Sequence, residues 1–498
     1  MNKKNVKLFF LGLILVLGLF LRGHGASERY LWQDEAETTI NSLQVIERGY
    51  PHGTFKGKPI YENASFIPSP SEKYEFESTN YYGTKYERNK GWLTYYWQAL
   101  FLKLFGFSNF VARLPFLLLF IPVFGLIYLI GKNFFSEKVG ILAAVLYSLN
   151  YHSIIYERQA RYYVVVTFFS LLCFYIFYLA LTKNKWRYYL LSAIVLILFY
   201  YTHLVSALCV SIFFILAHVY YQRHIRGIIN KKLILVFVLT ALCLLPWIYL
   251  VKFWMVAGIF NSYNFKIVWL FYIVVYFFSF IFLKFLIPKI KQYFFQDLIK
   301  FTNLNYLLLF FIVIIIFKPL IIVEESFATR QFLDLIPLFC LLFSFLVIDL
   351  VKNYYQKDIR RSFLVKNVFL IIVIVPLFYF QGPIWQAWDT RWVKNSIDYL
   401  NSQKILSTTP IVVSYQQLPF MLYTNYNIEL VWPIRKSYLD SYIGEMYFII
   451  NTKYFWPRVF YRFKDVTKLS ELNFYDKIQE CDEDIIDNQT IIYHCPAK

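Results

Sequence analysis

Trp32-Gln33-Asp34-Glu35-Ala36-Glu37 sets a cluster of carboxylates shortly after an apolar run at 6–21 and before a long polar segment. The chain of 498 residues is 58% hydrophobic and only 16% charged, too apolar for ordinary soluble domains. It reads as a multi-span membrane protein, and the acidic cluster then stands just outside the bilayer. Asp34 also suits the N-cap of a helix over 35–48, with Glu37 three residues on completing a capping-box-like pair. On local sequence alone, a structural role therefore competes with a chemical one.

Outward from this stretch, Lys3, Lys4 and Lys7 flank an apolar run that reaches roughly 20 residues, the length a bilayer requires, when it is taken from 6 to 25. An uncleaved first helix is favoured, although the short run and Gly23-His24-Gly25-Ala26-Ser27 also suit a signal peptide. The translocated segment 26–109 holds two candidate interfacial helices, 35–48 and 92–105. The second carries aromatic residues at helical spacing and is expected to lie along the membrane surface. Further spans are expected at 110–131, 138–156, 162–182, 187–202, 204–221, 232–251, 266–287, 304–323, 331–351 and 363–381, for about eleven in all.

Basic residues fall at every second junction: Lys132/Lys138, Lys183/Lys185/Arg187, Arg223/Arg226/Lys231/Lys232, Lys284/Lys289/Lys291 and Lys352/Lys357/Arg360/Arg361. With the N-terminal lysines they mark the cytoplasmic face, so the N-terminus is expected inside and the C-terminal tail outside. Topology and contact with anionic membrane lipids explain the net charge of +19 better than nucleic acid does. The tail, 382–498, changes to a soluble pattern. A helix over 389–402, a strand at 411–413, a helix over 416–423 and strands at 447–450 and 490–493 predict a small extracytoplasmic α/β domain. Cys173, Cys209, Cys243 and Cys340 lie in apolar runs as packing residues. Cys481 and Cys495 form the one pair suited to a disulfide, provided the tail meets an oxidising compartment.

Polar residues converge on the outer face. The junction near 150–162 carries Glu157-Arg158-Gln159-Ala160-Arg161, two arginines against the positive-inside trend. Tyr201-Thr202-His203 adds a histidine, and Glu324-Glu325 with Arg330-Gln331 stand at the outer ends of later spans. Snorkelling explains such arginines, and a satisfied core histidine explains His203. Ionisable groups in a membrane are otherwise costly unless they pair or line a working cavity. A carboxylate base with several cations suits transfer from a phosphate-bearing donor: the base takes an acceptor proton, and the cations stabilise the departing phosphate.

At these residues the chain resembles the GT-C membrane glycosyltransferases related to protein O-mannosyltransferases and the bacterial lipid A aminoarabinose transferase. The likeness rests on Trp32-Gln33-Asp34-Glu35-Ala36, Asn89-Lys90-Gly91-Trp92-Leu93-Thr94-Tyr95-Tyr96, Leu104-Phe105-Gly106 and Asn109-Phe110-Val111-Ala112-Arg113-Leu114-Pro115. Glu157-Arg158-Gln159-Ala160-Arg161-Tyr162, Tyr201-Thr202-His203 and Arg330-Gln331-Phe332-Leu333 follow in the same order. The family often has proline after the position of Lys90, where this chain has Gly91-Trp92. The resemblance implies a transmembrane glycosyltransferase domain over 1–381, with a variable domain over 382–498. It implies a polyprenyl-phosphate sugar donor, Asp34 as base with Glu35 beside it, and Lys90, Arg161 and His203 as donor-phosphate or substrate contacts; Arg158 and Arg330, cations on the same outer face, are expected to join them.

The leading expectation is an inverting glycosyltransferase of the cell membrane, acting on a glycan, lipid or protein acceptor. The rival is a transporter or lipid-linked sugar flippase, against which stand the large outer loop and the lack of an inverted repeat in the sequence. A polysaccharide polymerase or ligase differs from the first reading mainly in acceptor. No cofactor is expected: Asp34 and Glu35 supply fewer oxygen ligands than a divalent cation usually takes.

Overall fold

The structure, a computed structural model, describes residues 3–52, 54–56, 58–60, 91–222, 231–251, 303–321, 329–355, 390–414, 417–430, 442–451, 475–487 and 490–497. The order is α1 (Lys3–Gly23), α2 (Gln33–Arg48), β1 (Thr54–Phe55), β2 (Lys58–Pro59), α3 (Leu93–Phe105), α4 (Asn109–Phe134), α5 (Glu137–Leu149) and α6 (Tyr151–Glu157). Then come α7 (Tyr163–Lys183), α8 (Trp186–Tyr200), α9 (Leu204–Gln222), α10 (Lys231–Leu250), α11 (Asn303–Ile321), a 3-10 turn (Thr329–Leu335) and α12 (Ile336–Tyr355). The last part holds α13 (Arg391–Ser402), β3 (Pro410–Val413), α14 (Gln417–Tyr423), β4 (Asn427–Leu430), β5 (Met446–Asn451), α15 (Tyr475–Ile478), β6 (Asp482–Asp487) and β7 (Thr490–Cys495). Two compact units result. One comprises Met1–His24, Arg88–Thr94 and Phe116–Phe380, the other Gly25–Glu87, Tyr95–Pro115 and Gln381–Lys498.

The first unit is a bundle of apolar helices. Among the described residues six helices are long and apolar enough to cross a membrane, or seven if a bent pair counts as one span. Trp186–Tyr200 and Asn303–Lys318 are apolar but shorter, and the expected spans 266–287 and 363–381 lie outside the described residues. The bent pair is the single span expected at 138–156, broken into α5 and α6 with a 61° bend. Asn150 causes the break: its backbone is extended, and its side chain accepts from the Ser153 N–H, restarting the helix as an N-cap. Aromatic rings fill the bundle, with Phe177 stacked on Phe214 at 3.8 Å and Tyr306 buried among Phe134, Phe174 and Phe213. A Cβ on Gly131 would lie 2.5 Å from the Cα of Gly140, so this contact between α4 and α5 needs the small residue.

The second unit is built on a five-stranded sheet of order β4-β3-β5-β7-β6. β3 pairs parallel with β4 and β5, and β7 pairs antiparallel with β5 and β6. β3 and β5 are wholly buried, and Trp392, Ile397, Phe420 and Met421 join Ala36 and Ile40 of α2 in one core. The helices and strands predicted in the tail are present. β4 and β6 are additions: β4 is only Asn-Ile-Glu-Leu, and the acidic β6 is a largely exposed edge strand without apolar alternation. Charge on such an edge blocks pairing with another chain. Cys481 and Cys495 form a disulfide. In α3, Tyr95, Ala99 and Leu102 are buried while Tyr96, Leu100 and Leu104 are exposed, the amphipathic division its sequence predicts.

Candidate functional site

The acidic stretch lies at the start of α2 in the second unit. The N-cap is Trp32, so Asp34 is the second helical residue and does not hold the capping position that its sequence allowed. The capping bond comes instead from Glu35, whose Oε2 accepts from the Trp32 N–H at 3.4 Å. Acidic side chains in a first turn also meet the positive end of the helix dipole. Glu35 is 1% exposed, whereas Asp34 is half-buried. Arg113 grips Glu35 with both arms of its guanidinium, Nε to Oε1 at 2.8 Å and Nη2 to Oε2 at 2.5 Å. The same guanidinium donates to the carbonyls of Ala26, Arg29 and Tyr30 at 2.6–3.3 Å. Arg113 therefore holds the connecting segment that leads to Asp34. Its role was not read from the sequence, although it sits in the quoted 109–115 motif. Glu37 is buried and receives a long hydrogen bond from the Tyr95 hydroxyl, at 3.4 Å.

In the first unit the structure brings Arg161 and His203 together at the Tyr162 ring, whereas the Arg158 side chain turns to the His24 carbonyl. Glu157 ends α6 and is fixed by Arg22, whose Nε donates to its Oε2 at 2.6 Å, while the Tyr147 hydroxyl donates to its other oxygen. Arg22 is fully buried, donates to the carbonyls of Gly18 and Ser148, and lies 3.8 Å from the Phe120 ring centroid. With each charge held by several partners, the pair offsets its desolvation and anchors the turn that follows. Arg158 caps α6 and donates to the His24 carbonyl. Arg161 is 4% exposed, with its guanidinium 5.3 Å from the Tyr162 ring centroid. Tyr162 stacks on His203 at 4.9 Å.

His203 Nδ1 accepts from the Ser206 N–H at 3.2 Å, which caps the start of α9 and places the neutral ring's proton on Nε2. Since α7 begins at Tyr163, two helix N-termini open at this stacked pair. Their dipoles favour an anion. Gly91 closes the turn from another side: a Cβ there would stand 2.3 Å from the Tyr201 carbonyl oxygen, which accepts from the Leu93 N–H at 2.8 Å. The departure from proline at this position thus has a physical reason in close backbone packing.

Lys90 lies outside the described residues. Arg330 falls in the 3-10 turn. Asp334 at the far end of that turn pairs with Lys318 at 2.7 Å, both side chains buried, so the turn is pinned to α11. Among the described residues no group of three or more His, Cys, Asp or Glu side chains is arranged to hold a metal.

Residues 89–250 match the family model described as dolichyl-phosphate-mannose-protein mannosyltransferase. No curated protein matches the chain in sequence. The fold is similar to that of ArnT from Cupriavidus metallidurans bound to undecaprenyl phosphate, with a TM-score of 0.56 at 11% identity over 99% of this chain and 98% of that one. The apo state of ArnT gives 0.57 at 12% identity over the same shares. AglB, an archaeal oligosaccharyltransferase from Archaeoglobus fulgidus, is similar at 0.48 and 13% identity, over 86% of this chain and 64% of that one. The resemblance drawn from the motifs is therefore matched by a family model and by fold: the chain is a polytopic α-helical membrane protein of GT-C-like architecture.

Proposed function

We propose that this protein is an inverting membrane glycosyltransferase that moves a sugar from polyprenyl phosphate to an acceptor hydroxyl on the extracytoplasmic face, with Asp34 as base. The observation that carries this reading is the division of labour in the acidic pair: Glu35 is buried in its ion pair with Arg113, while Asp34 is half-buried and outside the capping position. Asp34 takes the acceptor's proton as the acceptor oxygen attacks the anomeric carbon. The bond from that carbon to the phosphate oxygen breaks, and the lipid phosphate leaves with the electron pair. Arg161, with Arg158, His203, Arg330 and Lys90 as further candidates, meets the phosphate, where guanidinium groups and helix N-termini stabilise the growing charge. The names of the matching family and of ArnT's bound lipid support a lipid-linked donor.

The disulfide in the tail supports an extracytoplasmic C-terminal part, in line with the charge pattern. Reporter fusions after Lys185 are expected to read as cytoplasmic and after Asn401 as external; a cytoplasmic Asn401 fusion overturns the orientation. For the activity, surface glycans of cells with and without the protein should differ by one sugar by mass spectrometry. Movement of a labelled lipid-linked sugar across vesicles without cleavage of its phosphate bond would establish a carrier instead.

Arg161→Lys keeps the charge but loses the planar fork that binds phosphate with two hydrogen bonds. It is expected to weaken undecaprenyl phosphate binding to the purified protein by a factor on the order of ten, about 1.4 kcal/mol. Arg158→Lys should have a smaller effect, because Arg158 already serves the His24 carbonyl. Wild-type affinity in Arg161→Lys would reduce Arg161 to a point charge or a packing residue.

A further inference from the structure

We propose that the seven-residue helix α14 of the C-terminal part is a clamp that positions Asp34. The inference rests on the reading of Asp34 as base. A helix this short does not persist alone in water, and its ends need partners for their open N–H and carbonyl groups. The N-terminal end finds one on the residue before Asp34, and the C-terminal end finds one on Lys56, just after β1. At the N-terminal end the Leu418 N–H donates to Oε1 of Gln33, the residue before Asp34, at 3.1 Å. At the C-terminal end Lys56 Nζ donates to the carbonyls of Met421 at 3.0 Å and Thr424 at 2.6 Å.

Between these ends Tyr423 reaches the approach to the base. Its hydroxyl accepts from the Leu31 N–H at 2.9 Å and donates to Asn109 Oδ1 at 2.5 Å. Its ring lies on that of Tyr30, centroids 4.0 Å apart and planes 16° apart. Burial pushes the Tyr423 phenol upward, so it keeps its proton and both hydrogen bonds at working pH. Three of the four residues before Asp34 are thus fixed by α14: a ring at position 30, a backbone amide at 31 and a side chain at 33. A base must be held within a fraction of an ångström of its substrate. The C-terminal part supplies that constraint, which makes Tyr423 a positioning residue.

The test uses the full chain carrying Tyr423→Phe, which keeps the ring stack and removes only the hydroxyl, and a second variant, Gln33→Leu. Three quantities are read: melting temperature in detergent, affinity for undecaprenyl phosphate, and the rate at which the sugar missing from cells lacking the protein is restored. For both variants the transfer rate is expected to fall by a factor on the order of 10–100, the cost of a misplaced catalytic group. Undecaprenyl phosphate affinity should be unchanged and the melting temperature only slightly lower. Transfer at the wild-type rate overturns the inference. So does a loss of transfer accompanied by equal losses of affinity and melting temperature, which would make α14 an ordinary part of the fold. A wild-type protein that restores no sugar defeats the glycosyltransferase reading and this inference with it. A wild type that restores the sugar, beside variants that do so equally well, defeats the clamp alone.

Discussion

Asp34→Asn is expected to insert, fold and bind undecaprenyl phosphate as the wild type does, and to transfer almost no sugar. The substitution keeps the side-chain shape and removes the basic oxygen proposed to take the acceptor's proton. General-base contributions are typically ~10²–10⁴-fold in rate. Because the N-cap is Trp32, a capping loss is no longer an alternative explanation for the effect. Asp34→Ala should therefore lose the same activity with little further loss of stability. The measurement is the rate of sugar restoration to surface glycans, beside melting temperature and lipid-phosphate affinity. An Asn variant active at the wild-type rate removes Asp34 from the mechanism.

The membrane architecture was legible because a bilayer imposes a length and an apolarity that each span must meet. Hence the expected spans at 110–131, 162–182 and 204–221 fall on α4, α7 and α9. The break at Asn150 was not legible, since one polar residue in an apolar run is as consistent with a continuous helix. The hidden part of the site was its support. Arg113 and Arg22 each end or begin an apolar segment, where sequence reads a basic residue as a headgroup contact. Both are instead buried and hold a glutamate, pairings between residues 78 and 135 positions apart that no local pattern encodes. Tyr423 is hidden in the same way: nothing in Gln417–Tyr423 announces a partner at Leu31. Two recognised motifs did have a physical basis visible afterwards. Glu157 was quoted for its neighbourhood and proves to anchor it, and Gly91 stands where only a glycine passes the Tyr201 carbonyl.

Arg113→Met is expected to be the most damaging substitution for stability among those considered. It leaves the buried Glu35 carboxylate without its cation and the carbonyls of Ala26, Arg29 and Tyr30 without their shared donor. Breaking one side of a buried pair typically costs about 3–5 kcal/mol, to be read as a lower melting temperature in detergent. Arg113→Lys should fall between, because an ammonium matches the charge of the fork but not its two-armed geometry. A wild-type melting temperature for Arg113→Met would mean that the pair contributes nothing to the fold. The double variant Arg113→Met/Glu35→Leu then separates two roles for Glu35. Removing both charges relieves the uncompensated carboxylate and should recover most of the lost stability, since apolar replacements of buried pairs are often neutral. If Glu35 serves only to seat the start of α2, sugar transfer should rise again with stability, short of the wild type by what the three released carbonyls cost. If Glu35 takes part in the chemistry beside Asp34, the double variant will melt near the wild type and remain inactive.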